Sequence, residues 1–219
     1  MAEPKHDRRS ILVRALALPA ALLLPARRAS AAGAETCEPT ESDFQGPMYT
    51  PGAPRRSVLA GPREPGERLR IRGTVFGPDC RTPVPRALLD VWQADAEGRY
   101  HDERESYRLR GQLLTDARGQ YQIDTIRPGG YGGRPAHIHF TVSAPGHEPL
   151  TTQLYFRGDP VLDHDSCGPA CNSGDPHRII PLTRLPAGSA GTFDLILKGS
   201  TWVPEYRGNS WLSSSASSR

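Results

Sequence analysis

Turn-forming residues are spread so densely along this chain that long regular helices have little room to form. Glycine and proline each contribute 22 of the 219 residues. Because both residues interrupt helices and favour turns, the sequence favours many short strands. Segments with strand patterns include residues 68–75, 87–92, 137–143 and 150–156. We therefore predict an all-β fold, a β-sandwich with long irregular loops.

The N-terminal residues have the layout of an export signal. The arginine pair Arg8-Arg9 precedes an apolar stretch over residues 15–26, and residues 29–31 form a small-x-small cleavage pattern. The apolar stretch is too short to span a bilayer, so we predict no stable membrane anchor. We predict that residues 1–31 are a cleavable signal, of the twin-arginine type, which directs the protein to the periplasm or the extracellular space. An ordinary secretory signal is the alternative.

The rest of the chain divides into three predicted regions. Residues 32–66 are an irregular N-terminal arm, residues 67–209 form the β-sandwich, and residues 210–219 are a flexible, serine-rich tail. Six of the 27 Lys and Arg and two of the 24 Asp and Glu lie in residues 1–31, so the mature chain has a net charge of −1. A chain with this balance has no basic surface for nucleic acid.

The four cysteines all lie in the mature chain, and an even number in an exported protein favours two disulfides. Four cysteines allow three pairings. Cys167 and Cys171 flank three residues and could close a small loop, which would leave Cys37 with Cys80. A zinc site that combines Cys167 and Cys171 with nearby histidines, His164 and His177, is the alternative.

Two histidines give the first indication of chemistry. His137 and His139 are two apart on the predicted strand 137–143, so both imidazoles face one side. They can form half of a metal site, whereas surface or packing histidines are the alternative. Four glycines around Tyr131, within residues 129–133, suit a loop beside such a site.

Two further polar side chains are expected near these histidines. The short turn 144–149 makes the strand 150–156 an antiparallel neighbour, which would bring the Gln153 amide beside a bound metal. Tyr100 follows the strand 87–92 and lies near a sheet edge. We therefore expect Tyr100 and Gln153 to approach the same centre.

Other segments are predicted to be structural. Residues 113–115 and 121–123 flank the turn 116–119 and are predicted to form a hairpin. Tyr121 and Tyr155 are predicted to pack rather than to take part in the site.

Five motifs, in order within residues 44–200, resemble those of the intradiol ring-cleavage dioxygenases. They are QGPMY at residues 45–49, LDVWQAD followed by GRY within residues 89–100, LTD followed by GQY within residues 114–121, RPAHIHF at residues 134–140 and TQLYFRGDP at residues 152–160. The last is close to the protocatechuate 3,4-dioxygenase branch, and the first resembles the substrate-side segment of catechol-cleaving members. The chain is identified as an exported, single-domain member of this family, with a prealbumin-like β-sandwich.

The resemblance implies a metal centre and a reaction. Tyr100, Tyr131, His137 and His139 would bind a non-haem Fe(III), with Tyr131 and His139 as the axial ligands. Tyrosinate is a hard anionic ligand, which favours ferric over ferrous iron. The substrates would be a catechol-type aromatic and O2. The ring would open between its two hydroxylated carbons to give a cis,cis-muconate-type diacid.

The resemblance also implies roles for residues around the metal. Arg134 would stabilise negative charge on the ring, and Gln153 would position the oxygen-derived intermediate. Tyr131 would leave the metal and take up a substrate proton. Met48 would line the ring pocket.

Two departures from the family pattern limit what can be carried over. Only five residues separate Tyr131 from His137, fewer than in the family, so part of the pocket wall is missing or comes from elsewhere. No long helical segment precedes the domain, so the oligomeric state cannot be inherited. The identity of the catechol also stays open.

Two alternatives belong to other functional classes. Residues 73–77 and 83–87 also resemble non-catalytic prealbumin-like modules, which would make the protein an exported binding module without a metal. A zinc hydrolase that uses His137 and His139 is the other, but no Asp or Glu lies beside the pair as a third ligand or a base.

Overall fold

The computed structural model describes residues 37–101, 106–171 and 173–200. Within these ranges the strands are β1 (Arg68–Phe76), β2 (Leu88–Gln93), β3 (Arg110–Leu114), β4 (Gln120–Ile126), β5 (His137–Ser143), β6 (Leu150–Phe156), β7 (Ile179–Ile180), β8 (Thr183–Leu185), β9 (Gly188–Thr192) and β10 (Leu195–Ile196). Three short 3-10 helices lie between β6 and β7: Leu162–His164, Gly168–Ala170 and Pro176–Arg178. None of the described helices is long and apolar enough to cross a membrane. The predicted signal (1–31) and tail (210–219) lie outside the described residues.

The strands form two sheets of five strands each. In the first sheet β1 is central: β4 pairs with it antiparallel, β9 and β10 pair with it parallel, and β8 joins β9. The second sheet has the order β3-β2-β5-β6-β7. Inner faces of both sheets contribute to one apolar core, which contains Ile71 and Ile123 from the first sheet and Phe140 and Leu154 from the second. The predicted all-β sandwich is confirmed.

The predicted hairpin around residues 116–119 is wrong. The turn exists, and the Asp116 side chain accepts hydrogen bonds from the backbone N–H groups of Arg118 and Gln120, both at 2.8 Å. However, β3 pairs with β2 whereas β4 pairs with β1, so the turn carries the chain from one sheet to the other. Turn chemistry fixes the local reversal of the chain but not the sheet that the next strand joins.

Irregular chain covers the outer face of the second sheet. Within residues 37–66, the backbone N–H groups of Asp43 and Arg56 donate to β6 and β3 of the second sheet, and that of Leu59 donates to β4 of the first sheet, each at 2.8 Å. As a consequence, β5 is buried on both faces over its first four residues. The outer face of the second sheet therefore provides a sheltered place for polar side chains.

Both disulfides have the pairing that the sequence suggests. Cys37 is joined to Cys80, and Cys167 is joined to Cys171. The first ties the covering segment to the turn after β1, and the second closes a loop after β6. The alternative zinc site is therefore wrong, because its two cysteines are bonded to each other.

We expect the two disulfides to contribute unequally to stability. The Cys37–Cys80 bond spans 43 residues of sequence and the Cys167–Cys171 bond only four. Chain entropy then gives about 4 kcal/mol for the first and about 2 kcal/mol for the second. Urea unfolding of the Cys37→Ser/Cys80→Ser and Cys167→Ser/Cys171→Ser variants measures both free energies of unfolding. A larger loss in the second variant would contradict this order.

Candidate active site

Strand β5 directs two histidines to the outer face of the second sheet. His137 and His139 point away from the core, and each is only 2% exposed. In the register of the sheet, His139 lies between Trp92 of β2 and Gln153 of β6, while His137 lies opposite Tyr155. The predicted antiparallel pairing of β5 and β6 is confirmed, and it brings Gln153 beside the histidines.

Tyr100 brings its phenol oxygen to both imidazoles. The hydroxyl oxygen is 3.0 Å from His139 Nε2 and 3.4 Å from His137 Nε2. The Tyr131 ring meets the Tyr100 ring edge-on, with 5.5 Å between centroids, and is also 5.5 Å from the His137 ring. The structure thus brings together the four residues that the sequence predicts as metal ligands.

Close packing of two loops makes this arrangement of Tyr100 and Tyr131 possible. Gly98 has a φ of 79°, and a Cβ at this position would lie 2.3 Å from the carbonyl oxygen of Gly130. A Cβ at Gly129 would likewise clash with the backbone of the turn that contains Gly98. Because only glycine allows so close an approach, the glycines around Tyr131 are needed to seat one tyrosine loop on the other.

Substituting Gly98 is expected to disturb the site and not only the stability. In Gly98→Ala the left-handed backbone alone costs about 1–2 kcal/mol, and the backbone clash forces the loop that carries Tyr100 to move. We expect a lower free energy of unfolding and weaker metal binding, measured by urea unfolding and metal titration. Gly61→Ala is the matched control, because a Cβ at Gly61 meets nothing within 4 Å. Equal free energies of unfolding and equal metal affinities in the two variants would contradict the role of Gly98.

The hydrogen bonds of His137 leave its Nε2 lone pair available to a metal. Its Nδ1 lies 2.8 Å from the carbonyl oxygen of Pro135, which can only accept, so Nδ1 carries the proton. Burial lowers the pKa of His137 to about 4 and the pKa of His139 well below its ordinary value, so both rings are neutral near pH 7. Neutral imidazoles of this kind are typical of metal ligands.

The donor set suits a hard cation. Burial, and next the neighbouring Tyr131 hydroxyl, raise the pKa of Tyr100, so a tyrosinate here needs a positive charge beside it. Two tyrosine oxygens and two imidazole nitrogens therefore fit Fe(III). In the part of the chain that the structure describes, no cluster of three or more His, Cys, Asp or Glu side chains could hold a metal. The zinc hydrolase alternative lacks its third ligand there.

An aromatic wall that the sequence analysis missed supports His139. The Trp92 indole stacks on the His139 imidazole, with centroids 4.7 Å apart and planes within 5°. Tyr49 meets Trp92 edge-on at 4.8 Å and donates to Asp90 at 3.0 Å. The position of Trp92 depends on the register between β2 and β5. No local pattern in the sequence states that register.

Arg134 reaches across the outer face towards β6. Its Nη2 donates to Gln153 Oε1 at 3.0 Å and to the Tyr155 hydroxyl at 3.2 Å, while its Nε faces Asp165 at 3.3 Å. Burial alone would lower the pKa of Arg134, but the hydrogen bond to Asp165 and the charge of that carboxylate raise it. A fixed positive charge thus lies beside Gln153.

Gln153 and Tyr155 are both completely buried and hydrogen-bonded to each other. Gln153 Nε2 donates to the carbonyl oxygen of Phe44 at 2.9 Å, so the amide oxygen is turned towards Arg134. The Tyr155 hydroxyl lies 2.9 Å from both Gln153 Oε1 and Asp43 Oδ2. Tyr155, predicted only to pack, therefore also takes part in the hydrogen bonds of the site.

Met48 lies in the covering segment that borders the histidines. Gly46, two residues earlier, is so close that a Cβ there would contact His139 Cε1 at 3.6 Å. Tyr49, the next residue, packs on Trp92. Met48 itself is half-buried, and its contact with a substrate ring stays a prediction.

Comparisons with known proteins point to one family. A sequence model described as "Dioxygenase" matches residues 44–174. The chain is similar to the catechol 1,2-dioxygenase of Acinetobacter baylyi, with 35% identity over 58% of this chain and 49% of that enzyme. It is also similar to the protocatechuate 3,4-dioxygenase beta chain of Burkholderia cepacia, with 34% identity over 65% of this chain and 69% of that one.

Solved structures agree with the sequence matches. The dioxygenase domain of a dioxygenase carbohydrate-binding protein fusion from Streptomyces sp. SirexAA-E has a TM-score of 0.67 and 38% identity, covering 74% of this chain and 100% of that domain. The 3-chlorocatechol 1,2-dioxygenase of Rhodococcus opacus 1CP has a TM-score of 0.65 and 30% identity, covering 76% of each chain. The chain spans about half the length of the Acinetobacter baylyi enzyme.

Proposed function

The chain belongs to the intradiol ring-cleavage dioxygenase family, and on this basis we propose that it binds Fe(III) and cleaves a catechol-type ring with O2. The ring opens between its two hydroxylated carbons, and both oxygen atoms enter a cis,cis-muconate-type diacid. The observation that carries the proposal is the Tyr100 hydroxyl, 3.0 and 3.4 Å from the Nε2 atoms of His139 and His137, with Tyr131 adjacent. We also propose that the protein acts after export, as its predicted signal indicates.

Tyr100, Tyr131, His137 and His139 would hold the iron. Fe(III) bound there would draw electron density from a catecholate and make a ring carbon reactive towards O2. Tyr131 is half-buried and lies in a glycine-rich loop, so it is the ligand best able to move aside and hold a substrate proton. The covering segment, residues 37–66, and the Trp92 indole limit the access of water to the histidines.

Arg134 and Gln153 would act on the substrate side of the centre. Their side chains are oriented before any substrate arrives: Arg134 donates to Asp165, and Gln153 donates to Phe44 and accepts from Tyr155. Such preorganised groups stabilise negative charge that develops during a reaction, because they need no rearrangement at that moment. Arg134 would therefore stabilise negative charge on the ring, and Gln153 would position the oxygen-derived group.

Oxygen uptake and product analysis test the proposal. Iron-loaded protein is mixed with catechol, protocatechuate or hydroxyquinol under ¹⁸O2, and the product is identified by mass spectrometry. We expect a ring-opened diacid with two ¹⁸O atoms from at least one of these substrates, and loss of this product in Tyr131→Phe. If none of them consumes oxygen, the proposal is wrong, and the non-catalytic binding module becomes the better hypothesis.

A further inference from the structure

The segment that contains the second disulfide contacts two parts of the candidate site. We call residues 165–171, which follow β6, the disulfide loop: they comprise the ring closed by the Cys167–Cys171 bond and the two residues before it. Its Asp165 carboxylate is 3% exposed and pairs with Arg134 Nε at 3.3 Å. The Ser166 hydroxyl donates to the carbonyl oxygen of Gly132 at 2.8 Å. The disulfide loop thus holds both Arg134 and the loop that carries Tyr131.

A buried arginine, Arg178, provides a second connection between the disulfide loop and Gln153. Arg178 Nη2 donates to the carbonyl oxygen of Cys171 at 3.1 Å, and Nη1 forms an ion pair with Asp43. The guanidinium lies 5.5 Å over the Tyr155 ring. Asp43 in turn accepts from the Tyr155 hydroxyl at 2.9 Å and from Gln153 Nε2 at 3.3 Å. The side chains of Arg178 and Asp43 are completely buried, so this ion pair is shielded from solvent.

We propose that the disulfide loop, acting through Asp165 and Arg178, positions Arg134 and Gln153 for the reaction. The inference rests on the proposed function, because it assigns these two side chains to substrate. Neither Asp165 nor Arg178 touches substrate in this account, so both are positioning residues.

Physical chemistry explains why a closed loop is needed here. Arg134 and Gln153 are long side chains with many rotamers, and only directional partners fix them in one. One of those partners, Asp165, and the Cys171 carbonyl that holds Arg178 come from a segment whose described regular structure is the single turn Gly168–Ala170. The Cys167–Cys171 bond restricts the Cys171 carbonyl that Arg178 contacts. It also restricts the Asp165 carboxylate through the hydrogen bond that the Cys167 backbone N–H donates to it at 2.9 Å. Opening the bond releases the partners without removing any residue of the site.

Hydrogen exchange of the Gln153 side-chain amide tests the inference without iron or substrate. In the Cys167→Ser/Cys171→Ser variant we expect this exchange to quicken by at least about tenfold, since the hydrogen bonds to Phe44 and Asp43 open more often. The backbone N–H of Ile123, in the first sheet, should exchange as before. Arg184→Lys, at an exposed position of β8, is the control, in which both the Gln153 and the Ile123 exchange rates should match those of the wild type. An unchanged Gln153 rate in the folded Cys167→Ser/Cys171→Ser variant would overturn the proposal.

Substitution of Arg178 gives an independent measurement. Arg178→Lys keeps the charge beside Asp43 but loses the hydrogen bond from Nη2 to the Cys171 carbonyl oxygen. Arg178→Met loses both, together with the ion pair to Asp175. We expect kcat to fall about tenfold in Arg178→Met and less in Arg178→Lys, with iron content and KM nearly unchanged. Arg184→Lys, at an exposed position of β8, is the control. If kcat and iron content fall together, Arg178 only supports the fold and the proposal is wrong.

The outcomes separate the two proposals. Faster Gln153 exchange in a protein whose wild type cleaves no catechol would leave the positioning network in place and reject the proposed function. If the wild type cleaves the ring, and all variants match its Gln153 amide exchange rate and its kcat, the positioning role of the disulfide loop alone is rejected.

Discussion

Iron binding is expected to weaken more than about 100-fold when His139 is replaced by alanine. The substitution removes one of four donors and leaves a cavity beneath the Trp92 indole, which stacks on this imidazole. Ring cleavage should be lost together with the metal. The measurements are the iron content after loading and dialysis, and the dissociation constant from metal titration.

His147→Ala is the matched control for this prediction. His147 lies in the turn between β5 and β6, where its Nδ1 bonds the carbonyl oxygen of Pro145 at 2.9 Å. The control should bind iron like the wild type. Tight iron binding by the His139→Ala variant would show that the metal lies elsewhere.

Loss of the Arg134 guanidinium should affect turnover more than metal binding. We expect Arg134→Ala to lower kcat by roughly 100-fold, because a preorganised charge beside the reacting group is lost. The carboxylate of Asp165 then also lacks its buried partner. Arg134→Lys should recover only part of kcat, since an ammonium cannot reach both Gln153 and Asp165 as a planar fork does.

Steady-state kinetics with an iron assay on the same samples measures this effect. Arg184→Ala, at an exposed site on β8, controls for the loss of one positive charge. The iron content of Arg134→Ala should match that of the wild type. A kcat within about threefold of the wild type would remove Arg134 from the proposed chemistry.

Residue patterns within one strand allowed much of this site to be predicted. The two-residue spacing of His137 and His139 fixes their common face, and the short turn 144–149 makes β6 the neighbour that carries Gln153. The glycines around Tyr131 indicate a loop with unusual geometry. Each of these signals acts over a few residues, so it is readable from the sequence alone.

Contacts between distant segments could not be predicted in this way. Asp43 and Arg178 form their ion pair across 135 residues, and no local pattern links them. Trp92 reaches His139 only through the register of β2 against β5. The turn 116–119 has good hairpin chemistry, yet β3 and β4 enter different sheets, because burial of apolar faces in the sandwich decides which strands pair.

The visible absorption spectrum of the purified, iron-loaded protein tests the central claim most directly. Two tyrosine ligands on Fe(III) predict a red-brown colour from charge transfer. The spectrum should shift when catechol is added under air and recover as the catechol is consumed. A colourless protein that retains no iron after ferric or ferrous iron is supplied would contradict the account.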